Sequence, residues 1–313
     1  VSRPAVSIER HAMQKELRET VAGISLSNPG KMLFKAQGLT KRDIAHHYVR
    51  VAKGMLPGVR NRLISLVRCP EGSTRECFFQ KHAGRGFPKA VKRRDIIEND
   101  GDTAEYLFIS DLKGIIAAVQ MNTLEFHIWG SRIDALEQPD RLVFDLDPDE
   151  GVSFADVRQA CFDLRDRLAE TGLKTLPLVT GGKGVHVVAP LTRRAKWPEV
   201  KAFARAIAER MSAEAPERFL AQASKAKRKN RIFIDWLRNE RGATAIAPYS
   251  TRARPGAPVA TPVSWDELAR LEAANTFRIS DMEKRLREPD PWAEASGWRQ
   301  SITKAVLKRA GVE

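Results

Sequence analysis

The sequence predicts an α+β fold in which central mixed or antiparallel β-sheets are flanked by helices. Three observations carry that prediction. Short runs of β-branched and aromatic residues recur along the chain, stretches with helical spacing of apolar residues lie between them, and no repeat, low-complexity block or linker divides the 313 residues. One compact domain over 1–313 is expected, with an N-terminal part over 1–60, a core over 61–300 and the end of a C-terminal helix over 301–313.

The first clear helix begins at Thr40, whose hydroxyl can cap it. Asp43 stands three residues on, close to a capping box, and Ile44, Tyr48 and Val51 share one face. Residues 62–68 and 77–81 read as short strands, and 82–102, rich in Gly, Lys and Arg, as loops. A strand over 106–110, a helix over 112–121 and a strand over 124–129 follow. Residues 141–147 form a strand ending in acids. Over 154–168, Phe154, Val157, Cys161, Leu164 and Leu168 make one helical stripe stopped by Gly172. Strands over 176–180 and 185–191 enclose a Gly-rich turn, and 197–213 is a helix. A strand over 231–237 is preceded by the basic run 225–231. Residues 257–262 form a Pro-punctuated loop, Ser264 with Glu267 caps another helix, and 292–309 makes the last one.

With 53 Lys+Arg against 39 Asp+Glu, the net charge is +14, which points to a polyanionic partner such as nucleic acid. The chain is 42% hydrophobic and 29% charged, which suits a packed core and excludes wholesale disorder. No apolar run is long enough to cross a membrane, and the charged stretch over 1–19 lacks the apolar segment of a signal peptide. A first residue of Val hints at a cut from a longer chain. Cys69, Cys77 and Cys161 are an odd count without a CxxC pair, which reads as a reducing compartment with no disulfide framework. Cys69, Cys77 and His82 fit no common zinc spacing.

The segment Arg141-Leu-Val-Phe-Asp-Leu-Asp-Pro-Asp149 carries the chemistry. Residues two apart on a strand point the same way, so Asp145 and Asp147 project together while Phe144 and Leu146 face the other side. Paired carboxylates in an apolar strand repel each other, and a divalent cation between them resolves both the repulsion and the burial. Their hard oxygen ligands suit Mg²⁺ or Mn²⁺. A calcium loop fits poorly, because Glu150 stands where Gly is required. The Mn²⁺-binding DxD of a sugar-nucleotide glycosyltransferase remains a competing reading. Asp235 is the only charged residue within Ile232-Phe-Ile-Asp-Trp236 and is the candidate third acid for two metals. Otherwise it is a buried acid paired with Arg231 or Arg238.

Thr180-Gly-Gly-Lys-Gly-Val-His186 lies between two strands. Gly181 and Gly182 let backbone N–H groups approach phosphate oxygens, while Thr180 offers a hydroxyl, Lys183 a charge and His186 a donor. A Walker A loop is excluded by Leu178 and Gly184; a simple β-hairpin turn is the bland alternative.

Taken in order, these segments resemble the polymerase domain of the bacterial ATP-dependent ligase of non-homologous end joining, ligase D, a branch of the archaeo-eukaryotic primase superfamily. The resemblance runs from about Leu26 to Trp298. It rests also on Asn28-Pro-Gly-Lys31, Leu39-Thr-Lys-Arg-Asp43, Phe78-Phe-Gln-Lys-His82, Leu124-Glu-Phe-His-Ile-Trp-Gly-Ser-Arg132 and Ala247-Pro-Tyr-Ser-Thr-Arg-Ala-Arg-Pro-Gly256. It departs at Thr180, where the family is expected to have Ser.

The resemblance implies a primase-like core and a set of roles. Asp145, Asp147 and Asp235 would be ligands to two Mn²⁺ or Mg²⁺ ions. Thr180, Gly181, Gly182, Lys183, His186, Arg252 and, more weakly, Arg238 would meet the triphosphate, and His127 the nucleotide near its sugar. Lys31 and Lys41 would hold the 5′-phosphate across a gap, and Phe78 or Phe79 would stack on DNA bases, with Lys81 beside them. By alternation along their strand, at least one of these two phenylalanines is expected in the core. Lys225, Lys227, Arg228 and Lys229 either track a DNA backbone or solvate a loop.

The implied activity is nucleotide addition to 3′ ends in gap filling and end joining. DNA with 5′-phosphate ends, NTP or dNTP, and the Ku, ligase and nuclease modules of the same pathway are the implied partners, in the bacterial cytoplasm at the nucleoid. Competing readings are a primase that starts chains de novo and a non-catalytic DNA-end-binding module that recruits a ligase.

Overall fold

The structure is a computed structural model that describes residues 18–84, 86–98 and 100–312; the stretch read as lacking a signal peptide lies almost wholly outside them. The N-terminal hairpin pairs β1 (Arg18–Val21) with β2 (Ile24–Ser27), and β3 (Met32–Phe34) pairs with β4 (Leu39–Thr40). Helix α1 (Lys41–Val59) starts at the predicted capping box. Thr40 N donates to Asp43 Oδ2 at 2.7 Å, and Asp43 N donates to Thr40 Oγ1 at 3.4 Å.

Strands β5 (Arg62–Arg68), β6 (Phe78–Gln80), β7 (Lys92–Ile97) and β8 (Thr103–Ile109) come next, then α2 (Leu112–Gln120) and β9 (Thr123–Trp129). The acidic strand β10 (Arg141–Pro148) leads into α3 (Phe154–Glu170), β11 (Leu176–Val179), β12 (Val185–Pro190) and α4 (Trp197–Glu214). The order closes with β13 (Phe219–Leu220), β14 (Ile232–Asp235), β15 (Thr244–Ile246), β16 (Thr261–Pro262) and the short helices α5 (Trp265–Leu268), α6 (Met282–Arg285) and α7 (Lys304–Arg309).

Two six-stranded sheets organise these elements. One runs β13-β14-β10-β12-β11-β16 and is antiparallel except at β13–β14; the other runs β15-β9-β5-β8-β7, with β6 added to β5. Each sheet has its own core. Leu142, Phe144 and Leu146 of β10 pack with α3 residues Val157, Cys161 and Leu164 and with α4 residues Val200, Phe203 and Ile207. Ile64, Leu66, Phe126 and Ile128 pack with Ile44, Tyr48 and Val51 of α1 and with Ile115 and Val119 of α2. Between the sheets, Val143, Val188 and Ala245 form a small bridging cluster, as do Leu178, Ile246 and Ala260. The face of β10 turned away from its helices therefore looks toward the second sheet.

Several expectations are corrected. Residues 82–102 are not all loop, since β7 pairs along β8; it is an edge strand with Lys92–Asp95 exposed, so it lacks the alternation that marks a half-buried strand. Residues 292–309 are not one helix. A short 3₁₀ turn over Ala293–Gly297 ends at Gly297, and Gln300 then straps the chain to the fold, its Nε2 donating to Lys174 O and Pro190 O at 2.8 Å each. Within the Pro-punctuated loop, Thr261–Pro262 joins a sheet edge.

The cysteine reading is also overturned, because Cys69 and Cys77 are joined in a disulfide. Arg68 and Phe78 are register partners of β5 and β6, so the next residues outward, 69 and 77, face each other across the mouth of the hairpin. An odd count does not exclude one local pair; Cys161 is the buried free thiol.

Candidate active site

Strand β10 lies between β14 and β12, and its register aligns the site. Asp145 is the partner of Asp235 on one side and of His186 on the other. Asp147 stands two residues along on the same face, so alternation brings both β10 acids to the side opposite Leu142, Phe144 and Leu146. In β14, Ile232 and Ile234 enter the helical core, which leaves Asp235 on the face of Asp145.

That face borders a cavity of about 440 Å³ between the two sheets. Asp145, Asp147, Thr180, Gly182, Lys183, His186, Arg238, Arg252 and His127 all line it. Gly181 supports the turn from behind with φ at +69°, the left-handed region that glycine enters at no steric cost. The Thr180 hydroxyl closes the turn on itself, donating to Gly184 O at 2.8 Å and accepting from Gly182 N at 3.3 Å. Its one proton is thus committed within the turn. Gly184 lies flat on β10, and a Cβ there would stand 2.4 Å from Leu146 O. Arg252 Nη1 donates to Thr180 O at 2.7 Å and ties the turn to the segment before β16. Lys183 is exposed, 3.5 Å from Glu150.

Arginines offset the carboxylates. Arg238 Nη2 lies 2.9 Å from Asp235 Oδ2 and 3.4 Å from Asp145 Oδ2, and Arg228 pairs with Asp147. His186 Nε2 is 3.6 Å from Asp145 Oδ1. Burial pushes the Asp145 carboxyl up, but the charge and hydrogen bond of His186, with Arg238 and Arg252, outweigh it and bring its pKa down to about 2. Asp235 moves the other way: burial raises it, Asp145 adds to the rise, and Arg238 only partly offsets both. The two carboxyls thus differ in character although they are register partners.

Of the residues assigned to DNA, none lines this cavity, although Phe79 reaches its His127. Lys31 Nζ is 3.4 Å from Glu71. Lys41 is buried with its Nζ donating to Ser27 O at 3.0 Å and Gln120 O at 3.2 Å, and burial, then the Lys31 charge, lowers its pKa to about 8. The two lysines share a backbone bond, Lys41 N donating to Lys31 O at 2.8 Å. Neither Phe78 nor Phe79 is core, contrary to expectation, with 41% and 55% of their surfaces exposed. Strand β6 is a three-residue edge with neither face covered. Phe78 lies under the Arg68 guanidinium, Phe79 meets His127 edge-on at 5.3 Å, and Lys81 pairs with Glu98.

Of the basic run, Arg228 turns inward to Asp147, neither tracking a surface nor solvating a loop; its guanidinium also stacks over Phe233. Arg228, Glu125 and Arg254 were not foreseen as site residues. Glu125 could have been, since it stands two residues before His127 in an apolar strand. Arg254 lines the cavity beside Gly182.

The profile of the LigD primase-polymerase domain matches residues 40–292. The multifunctional non-homologous end joining protein LigD of Pseudomonas aeruginosa is 38% identical over 311 residues, covering 98% of this chain and 37% of that protein. The protein of the same name from Mycolicibacterium smegmatis is 33% identical over 281 residues, covering 89% of this chain and 36% of that one. The chain belongs to the LigD primase-polymerase domain family. Its fold agrees: the polymerase domain from Mycobacterium tuberculosis ligase D, solved in complex with DNA, superposes with a TM-score of 0.81 at 31% identity, over 88% of this chain and 98% of that one.

As a LigD primase-polymerase domain the chain is a nucleotidyltransferase, and the resemblance read from the sequence motifs holds. The LigD profile begins at Thr40, the N-cap of α1, so Lys31 lies ahead of the matched segment. The chain spans little more than a third of the length of the two LigD relatives.

Proposed function

We propose that this chain is a divalent-metal-dependent polymerase that adds nucleotides to DNA 3′ ends, filling gaps during the joining of double-strand breaks. The observation that carries this reading is the row Asp235, Asp145, His186 on three adjacent strands; Asp145, Asp147 and His186 line a cavity closed by the 180–186 turn, and Asp235 stands just behind that lining as the register partner of Asp145. The donor set fits Mn²⁺ or Mg²⁺: three carboxylates offer hard oxygens, and the raised pKa of Asp235 marks a buried acid short of positive charge. Among the described residues no three such side chains converge as a formed metal site; Arg238 lies against Asp145 and Asp235 and Arg228 against Asp147, so two bound ions would have to displace them.

Two bound ions would lower the pKa of the primer 3′-hydroxyl and neutralise the triphosphate and the leaving pyrophosphate. The chain's own groups do the rest. Asp145, Asp147 and Asp235 hold the ions; Lys183, His186, Arg252 and Arg238 stabilise negative charge as it moves along the triphosphate. The backbone N–H groups of Gly181 and Gly182, expected to meet phosphate, are instead taken by Ala274 O at 3.1 Å and Thr180 Oγ1 at 3.3 Å, so the turn's contribution is its closed shape and the Lys183 charge. His127 faces the sugar, and Phe78 and Phe79 offer exposed rings for base stacking. Lys31, Lys41 and Lys81 belong to the DNA side, Lys31 and Lys41 at a 5′-phosphate. The DNA-bound mycobacterial neighbour and the +14 charge support DNA as partner. Ku and the ligase and nuclease functions of the same pathway are the proposed associates, at the nucleoid in the bacterial cytoplasm.

The test is extension of a gapped duplex, with and without the 5′-phosphate, with Mn²⁺ or Mg²⁺ and with NTP or dNTP, together with a primer-free control. Asp145→Ala is expected to abolish extension and leave DNA binding intact. Wild-type rates in that variant overturn the reading, and a wild-type protein that binds DNA ends without turnover favours a recruiting module instead.

A further inference from the structure

Glu125 is a buried carboxylate behind two residues that line the cavity, His127 and Arg252, and it accepts two hydrogen bonds and makes one ion pair. His127 Nε2 lies 2.8 Å from its Oε2, the backbone N–H of Ala253 donates to its Oε1 at 2.8 Å, and Arg252 Nε is 3.1 Å from Oε2. Its side chain is 8% exposed, against 16% for His127 and 14% for Arg252, so the group is held away from water's screening. Arg252 in turn donates to Thr180 O of the phosphate turn. One carboxylate on β9 thereby links the imidazole on its own strand to an arginine 127 positions further along the chain that grips the turn.

The hydrogen bond decides the state of the imidazole. A carboxylate only accepts, so His127 must donate from Nε2, and a neutral ring then carries its lone pair on Nδ1. Burial holds the His127 pKa below its ordinary value although Glu125 pulls it upward, so the neutral ring prevails at neutral pH. Burial raises the Glu125 carboxyl, but the His127 hydrogen bond and the Arg252 charge bring it down to about 2, so it stays ionised. Nδ1 has no protein partner among the described residues and is not among the buried unpartnered atoms, which leaves it open to the cavity His127 lines.

Resting on the reading of this cavity as a nucleotide site, we propose that Glu125 is its positioning residue. It fixes His127 as an acceptor toward the ligand and holds Arg252 at the phosphate turn, so sugar selection and triphosphate grip form one unit. The hydroxyl donors of a nucleoside triphosphate are on its sugar, and Nδ1 therefore selects for a sugar hydroxyl. Glu125 touches no reacting atom.

The experiment measures Kd for ATP, 2′-dATP and 3′-dATP on the wild type, Glu125→Gln, His127→Ala and the double variant. The wild type is expected to favour ATP over at least one deoxy form. In Glu125→Gln the amide oxygen can still accept from Ala253 while the NH₂ meets Nε2 and reverses the tautomer, so a sugar hydroxyl can only accept from Nδ1–H and its own proton loses that partner. The ATP-to-deoxy ratio then falls about fivefold to tenfold, the worth of one hydrogen bond, and affinity for tripolyphosphate falls as Arg252 loses its anchor. In the His127→Ala background the same substitution leaves the ratio unchanged. A ratio is insensitive to the fraction of folded protein, so a folding defect cannot imitate this pattern. An unselective wild type, a Glu125→Gln protein with the wild-type ratio, or a ratio change that persists without His127 overturns the inference alone. A wild type that binds none of the three nucleotides overturns the polymerase reading itself.

Discussion

Replacing Gly184 by Ala tests how tightly the phosphate turn is seated on the acidic strand. The new Cβ would meet Leu146 O at 2.4 Å and Asp145 Oδ1 at 3.4 Å. A tolerable contact begins near 3.0 Å, so something must move by at least about 0.6 Å. Leu146 is paired on both sides, with Val185 and Ile234, and cannot yield without breaking the sheet. The turn yields instead, and the Thr180 bond to Gly184 O stretches with it. Overpacking of this kind costs about 1–3 kcal/mol of stability. Catalysis should suffer more, because a misplacement approaching 1 Å costs on the order of a hundredfold in rate. The expected result is a loss of tenfold or more, about 1.4 kcal/mol or more, in kcat/KM for gap extension, at temperatures where thermal denaturation shows the variant still folded. Gly297→Ala is the control, since a Cβ there meets nothing within 4 Å. A Gly184→Ala protein with wild-type melting and wild-type extension refutes the idea that turn and acids form one tight unit.

Three further outcomes are expected. His47 is buried with Nε2 3.0 Å from Tyr249 O, and burial lowers its pKa to about 4 from 6.5; the unfolded chain therefore binds the extra proton between those values, stability is fully present above 6.5, and about 2 kcal/mol is lost on going down to pH 5. Urea midpoints should show that slope flattened in His47→Gln, and equal slopes in the two proteins would refute it. Reducing Cys69–Cys77, or Cys77→Ser, should cost up to about 2–3 kcal/mol for so short a loop, read from denaturant titrations with and without a dithiol; no shift would mean that β5 and β6 hold the loop unaided. Lys31→Ala should weaken the preference for a 5′-phosphorylated gap and spare simple primer extension, because its pairing with the exposed Glu71 is weak enough for a phosphate to displace; equal loss on both substrates would point to a folding defect.

What the sequence reveals follows the range of the interaction. Period-two alternation is local, so the shared face of Asp145 and Asp147 is readable from β10 alone, as is the capping box of α1. Asp235 stands out as the one charge in an apolar run, but its alignment with Asp145 depends on a pairing of strands 90 positions apart. Strand β7 escapes because an exposed edge has no buried face to pattern, and the exposure of both Phe78 and Phe79 has the same cause. Two cysteines eight positions apart look unrelated until the β5–β6 register sets them opposite each other. Arg238 was readable as one of two candidate partners of Asp235, because it stands three positions on in the chain, and the two do pair; the partners of Arg228 and Arg252 were not, since they come from distant strands.

Those three arginines differ in what they can give up, and burial decides it. The Arg252–Glu125 pair is shut from water on both sides, so removing either partner would strand a charge at a cost of about 3–5 kcal/mol; it behaves as framework. Asp147 keeps 46% of its side chain exposed beneath Arg228, and Arg238 keeps 38% exposed above Asp145 and Asp235. Water can replace the Arg238 guanidinium as it leaves, so that contact can be exchanged at little cost; Arg228 is 16% exposed and stacked over Phe233, and only its acid is open to water. The site thus combines a fixed cation, Arg252, with a readily released one, Arg238, and Arg228 is intermediate between them. That division would suit the proposed function: divalent ions held by Asp145, Asp147 and Asp235 would take over at the carboxylates, and the guanidiniums so released would be able to turn toward a triphosphate.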